Sequence, residues 1–197
     1  METFIKDEAF VLSRRFVGNS DVVITIYGQK LGIETVFIQN GQLIKNLPYV
    51  YFDRFTYIKA VFQKYREKRV YISEIDKVIT FGLKVSESLE SLSILTDISN
   101  MIYNYVLYPD KAIFNLYKKT LYYSIKTGQI HRYYLSFLVK FIYLLGVYDR
   151  KELDRYWDIF VSILKTPLRE IKILNIDRSV EEKLSAKLIE SINRWLG

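Results

Sequence analysis

The stretch Val22-Val23-Ile24-Thr25-Ile26-Tyr27-Gly28-Gln29-Lys30-Leu31-Gly32-Ile33-Glu34-Thr35-Val36-Phe37-Ile38-Gln39 decides the class of the first half of the chain. Successive side chains of a strand alternate, so Val22, Ile24 and Ile26 share one face and Val23, Thr25 and Tyr27 the other. Gly28 to Gly32 makes a turn, and Ile33 to Gln39 is a further β-rich run closed by Asn40-Gly41, a strong hairpin signal. Upstream, Phe10 to Val17 is another such run, ended by the turn cluster Gly18-Asn19-Ser20-Asp21. Downstream, past an irregular piece around Pro48, come Phe55 to Gln63, a polar tip at Tyr65-Arg66-Glu67-Lys68, and Arg69 to Ile75. Five strands joined mainly by short turns predict a small closed unit, an OB-like β-barrel over residues 1–80, because closure removes open sheet edges.

From about residue 85 the apolar period becomes helical, which predicts an α+β chain whose second domain, 81–197, is all-α. A first helix is expected from Ser86 to Leu107, stopping before Pro109, and a second from a cap at Asp110 to Gly128. Ile130, Tyr133, Tyr134, Phe137, Leu138, Phe141, Ile142 and Leu145 keep the i, i+3, i+4 spacing of a third, which Gly146 stops. Asp149 with Glu152 opens a fourth, carrying Leu153, Tyr156, Trp157, Phe160, Val161 and Leu164 and ending at Thr166-Pro167. Ser179 with Glu182 fits a capping box for the last, after a short helical or irregular piece from Leu168 to Ile176.

Composition narrows the chemistry. None of the 197 residues is cysteine, and His131 is the one histidine, so cysteine-based redox chemistry and His-rich metal sites are excluded. The N-terminus lacks the basic start and apolar run of a signal peptide, and the greasiest window, Tyr133 to Val147, is interrupted by Lys140 and too short to span a bilayer. A cytoplasmic protein with no membrane partner is expected. The net charge of +7, spread over both halves, favours a polyanionic partner.

No catalytic constellation is present. Gly28-Gln29-Lys30-Leu31-Gly32 lacks the spacing of a phosphate loop, no Gly-x-Ser-x-Gly turn exists to serve His131, and the carboxylates Asp53, Glu67, Glu74 and Asp76 are scattered among basic residues. A non-enzymatic protein without cofactor or metal is expected. What stands out is the hairpin around Lys64, Tyr65, Arg66, Lys68 and Arg69, with Tyr57 and Tyr71 beside it. Cations neutralise phosphates and flat rings stack on bases, the pairing a single-strand binder needs. Arg14 and Arg15 lie mid-strand on opposite faces, and Lys30 and Lys45 sit in the turns before and after the third strand. Lys111, Lys118, Lys119 and Lys126 of the second helix, with Arg132 and Lys140 of the third, read either as a second surface for an anionic partner or as a solvated face favoured by the dipole at a helix C-terminus.

The run Ala9-Phe10-Val11-Leu12-Ser13-Arg14-Arg15-Phe16-Val17-Gly18-Asn19-Ser20-Asp21, the Thr25-bearing strand and the turn ending in Gly32 resemble the start of RecO recombination mediators. The hairpin with Tyr65-Arg66 at its tip, the helix ending Leu144-Leu145-Gly146, Thr166-Pro167-Leu168 and the closing Arg194-Trp195-Leu196-Gly197 follow that family's order through most of the chain. Many relatives carry a cysteine cluster after the Leu-Leu-Gly helix, and some bind zinc there; Val147 to Lys151 has none. The family's basic loop after strand three is reduced to Gly41-Gln42-Leu43-Ile44-Lys45, which moves the electrostatic work towards the Lys64 to Arg69 tip.

The resemblance implies an OB-fold domain followed by a helical one, binding of single- and double-stranded DNA, and annealing of complementary strands in recombinational repair after DNA damage. It also implies RecR, the tail of the single-strand DNA-binding protein, and RecA as partners. The competing expectation is an adaptor whose helical half receives an acidic, aromatic-ended peptide on Lys111, Lys118, Lys126 and Arg132, with little DNA binding.

Overall fold

A computed structural model gives an α+β protein, a five-stranded N-terminal sheet followed by helices. It describes residues 2–39, 52–65, 69–82 and 88–196. The strands are β1 (Thr3–Val17), β2 (Asp21–Gly28), β3 (Gly32–Ile38), β4 (Thr56–Lys64) and β5 (Val70–Thr80). The helices are α1 (Leu89–Tyr105), α2 (Lys111–Thr127), α3 (Ile130–Leu145), α4 (Arg150–Leu153), α5 (Trp157–Lys165) and α6 (Arg178–Leu196). The chain divides into two compact units, Met1–Leu89 with Ser99–Phe114, and Glu90–Ile98 with Asn115–Gly197.

In the first unit the ladders run β1-β2-β3-β5-β4, and β4 pairs back onto β1, so the sheet closes on itself. All pairings are antiparallel except β3 with β5, which meet in parallel at Val36–Val70 and Phe37–Tyr71. Closure depends on β1, whose first half pairs with β4 and whose second half pairs with β2. An irregularity between Val11 and Ser13, within the β2 ladder and just beyond the last β4 pair at Phe10, gives the strand the bend that such closure needs. The bend is held by the segment before β4: Arg54 Nε donates to the Leu12 carbonyl at 2.7 Å, and the Phe55 N–H to the Val11 carbonyl at 3.0 Å.

Inside the ring, Ala9, Val11, Ile24, Ile26, Val36, Ile58, Ala60, Phe62 and Val70 make the core. Asp7 shares this inward parity although it is a carboxylate. Asp7 is buried and accepts the N–H groups of Lys30 at 3.0 Å, Leu31 at 3.0 Å and Glu8 at 2.8 Å, which ties the β2–β3 turn to β1. On the outer face Phe10, Tyr27 and Tyr57 are covered, with the Phe114 ring 5.5 Å from Phe10 and 5.7 Å from Tyr27. The Tyr27 hydroxyl donates to the Asp110 carbonyl at 3.0 Å, and burial pushes its pKa well above the ordinary phenol value. These contacts attach the segment 99–114 to the sheet.

In the second unit α3 packs against α5 and α6, with Leu135, Phe137, Leu138, Val139, Phe141 and Ile142 fully buried. Gly146 ends α3 in the left-handed conformation at φ 71°, as expected of a glycine C-cap. Lys140, the charge that interrupts this greasy helix, caps the end of α5 by donating to the carbonyls of Ile163 at 3.0 Å and Leu164 at 2.7 Å.

Several boundaries differ from the sequence reading. β1 starts at Thr3 rather than Phe10, because Lys6, Asp7 and Glu8 hide a strand whose partner, β4, is far away in sequence. The fourth helix is broken into α4, a 3-10 turn over Asp154–Tyr156, and α5. Asp149 caps α4 through the Lys151 N–H at 2.8 Å, while Glu152 reaches Ser191 and Arg194 instead of closing a capping box. Ser179 lies inside α6: the first turn closes on the Asp177 carbonyl, and Glu182 pairs with Arg178. The Asn40-Gly41 turn lies outside the described residues, and no helix among the described residues is long and apolar enough to cross a membrane.

Candidate nucleic-acid interface

Paired residues of a sheet point to the same face, so the register lays out the outer surface. Arg15 pairs with Val23, Val23 with Phe37, Phe37 with Tyr71, and Tyr71 with Gln63. These five residues form one outward rung across the sheet. The Phe37 and Tyr71 rings are 6.0 Å apart and both half-buried, and Tyr65 meets Tyr71 edge-on at 5.4 Å. Tyr65 is exposed, and its N–H donates to the Arg69 carbonyl at 2.9 Å, which closes the base of the β4–β5 hairpin. Arg69 and Arg15 are both exposed. Strands lie about 4.8 Å apart, so Arg15 stands roughly 10 Å from Phe37, with the buried Val23 between them. The result is a short run of rings, Phe37, Tyr71 and Tyr65, with the exposed Arg69 following at the hairpin base and the exposed Arg15 two strands from Phe37 on the other side.

The other cations expected here are placed differently. Arg14 takes the inward parity, bonds Asp53 at 2.8 Å and lies 4.9 Å over the Phe16 ring, which is itself exposed on the strand end. Lys64 follows Ile58, Ala60 and Phe62 in the inward parity, and its ammonium meets Glu34 at 2.5 Å. Lys30 sits at the opposite end of β3 from Phe37, with its Nζ on the Lys6 carbonyl at 2.7 Å. Tyr57 is buried against Phe10 at 5.5 Å, its phenol pushed upward by burial and by Glu8, so it offers no free face. Lys45, Arg66 and Lys68 lie outside the described residues. Of the expected set, Tyr65 and Arg69 come together at the base of the β4–β5 hairpin, while Arg15 lies on the same rung but three strands away from Tyr71.

Phe37 and Phe16 were missed by sequence reasoning. The alternation Thr35-Val36-Phe37 puts Phe37 opposite the core-facing Val36, but its neighbour Tyr71 is reached only through the non-local β3–β5 pairing. Arg14 and Phe16, two apart on a strand, carried a legible same-face signal.

On the helices, Lys111 is exposed at the start of α2 in the first unit. In the second unit Lys126 lies 5.7 Å over the Tyr122 ring, and Lys118 is half-buried. Arg132 is occupied: it pairs with the buried Glu181 and donates to the carbonyls of Leu174 and Ile176. It clamps the approach to α6 and offers nothing to a partner. His131 Nε2 lies 2.9 Å from Glu90, beside Arg178, and no group of three His, Cys, Asp or Glu among the described residues is placed to hold a metal. No family model matches the sequence, and comparison with curated proteins finds no similar chain.

Proposed function

We propose that the closed five-stranded sheet is an OB-like barrel and that its outer rung binds single-stranded nucleic acid. Five strands with β1 shared between two ladders and β3 lying beside β5 fit that architecture, in which the face of strands two and three and the loops flanking it take oligonucleotides. The observation that carries the reading is the ring run Phe37–Tyr71–Tyr65, with the exposed Arg69 at its hairpin end and the exposed Arg15 farther along the same rung. Rings stack on any base and guanidinium groups neutralise phosphate, so binding needs no cofactor and no covalent step.

Together with the collinear resemblance to RecO proteins, this supports a recombination mediator. It would bind single- and double-stranded DNA, anneal complementary strands and act with RecR, the single-strand DNA-binding protein tail and RecA. The adaptor reading is the less supported of the two because Arg132, one of its four cations, is engaged internally.

The test is fluorescence anisotropy of a labelled oligothymidylate at two salt concentrations, with wild type and Phe37→Ala/Tyr71→Ala. The double variant is expected to bind at least tenfold more weakly, since stacking contributes about 1–3 kcal/mol per base. Equal affinity of the two proteins removes this face as the site.

A further inference from the structure

The rung does not end at Gln63. Gln63 pairs in turn with Phe4, so one continuous line of paired residues runs Arg15, Val23, Phe37, Tyr71, Gln63, Phe4. It starts and finishes on β1, because β1 is shared by two ladders. Phe4 is 59% exposed on the outward face, a flat ring in line with Tyr71 and Phe37. We infer that Phe4 is the terminal stacking position of the nucleic-acid track, and that a bound single strand follows this rung across the strands as far as β1. This inference rests on the reading of the barrel as a single-strand binder and gives that site its length.

The chemistry differs between the two ends. Around Arg15 a phosphate finds an exposed guanidinium. Among the described residues around Phe4 the polar groups have carboxylate partners: Gln63 donates to Glu2 at 3.0 Å, and Lys6 pairs with Asp76 at 2.7 Å. What Phe4 itself offers is an exposed ring, a contact for a base. Five inter-strand steps of about 4.8 Å span roughly 24 Å. At about 3.4 Å per nucleotide in a stacked strand this corresponds to about seven nucleotides, within the range for one OB barrel. From Arg15 to Tyr71 alone the span is roughly 14 Å, or about four nucleotides.

Two oligothymidylates, of about four and about eight nucleotides, separate the short track from the long one. Phe4→Ala is expected to weaken the long oligomer by about tenfold and the short one by less. Phe4→Trp is expected to restore the long oligomer's affinity, with an indole emission quenched more by the long oligomer than by the short one, above the background of Trp157 and Trp195. If Phe37→Ala weakens both oligomers while Phe4→Ala weakens neither, the barrel is the site and the extension to Phe4 is wrong. If wild type binds neither oligomer, the single-strand reading itself falls and takes the extension with it.

Discussion

The Oδ2 atom of Asp7 lies 2.6 Å from the point a β-carbon on Gly28 would occupy. The glycine ends β2 where a carboxylate from β1 reaches the turn amides, and no larger residue leaves room for it. Gly28→Ala is expected to lower stability by about 1–3 kcal/mol through this overlap. Asp7→Asn, which keeps the shape and loses the charge on three amide bonds, is expected to cost about 2–4 kcal/mol. Denaturant titration of the full chain measures both; an unchanged midpoint for Asp7→Asn would show that the turn does not depend on the anion.

Arg15 and Arg69 should act on the salt dependence of DNA binding more than on the fold, since both are exposed. On single strands the slope of log affinity against log salt changes by about 0.7 per phosphate contact. Arg15→Gln is expected to flatten the slope by about that amount, with a similar loss for every base composition. A steep slope unaffected by either substitution would place the phosphates elsewhere.

Arg132→Met should destabilise the protein strongly without touching oligonucleotide affinity. It strands the buried Glu181 carboxylate and two carbonyls, and breaking such a pair costs about 3–5 kcal/mol. The exposed pair Arg178–Glu182 is a control, expected to contribute less than about 1 kcal/mol. Thermal unfolding of Arg132→Met and Glu182→Gln, side by side, reads the difference.

Lys140 gives a pH signature. Burial holds its ammonium below the ordinary value of 10.5. Between the lowered value and 10.5 the unfolded chain binds more protons than the folded one, so stability contributed by this group rises with pH across that window. Lys140→Met abolishes the rise, and it also leaves the Ile163 and Leu164 carbonyls uncapped, at a cost of about 1–2 kcal/mol near neutrality. Urea unfolding from pH 8 to 10.5 distinguishes the two proteins.

Local patterns were the legible part of this chain. The β2–β3 hairpin and α3 follow directly from alternation and from i, i+3, i+4 spacing, and the caps at Asp110, Asp149 and Gly146 act as their residue types predict. Long-range partners were not legible. Lys64 sits at a hairpin end with every sign of a solvated cation, yet its parity and Glu34, thirty residues away, turn it inward. Tyr57 and Tyr71 look alike in sequence; Phe114 and Phe10 close over the sheet beside the first, while the second stays half open. Asp7 reads as an ordinary surface acid until the turn amides arrive on it.

Among the described residues four of the five ladders are long, whereas β3 and β5 share only Val36–Val70 and Phe37–Tyr71. That short seam is where the ring is expected to open first, because local opening starts where the fewest backbone bonds must break. Its outward flanks are the two rings assigned to the bases. A ligand lying over both acts as a staple across the seam, so occupancy should slow amide exchange at Phe37 and Tyr71 more than anywhere else in the sheet.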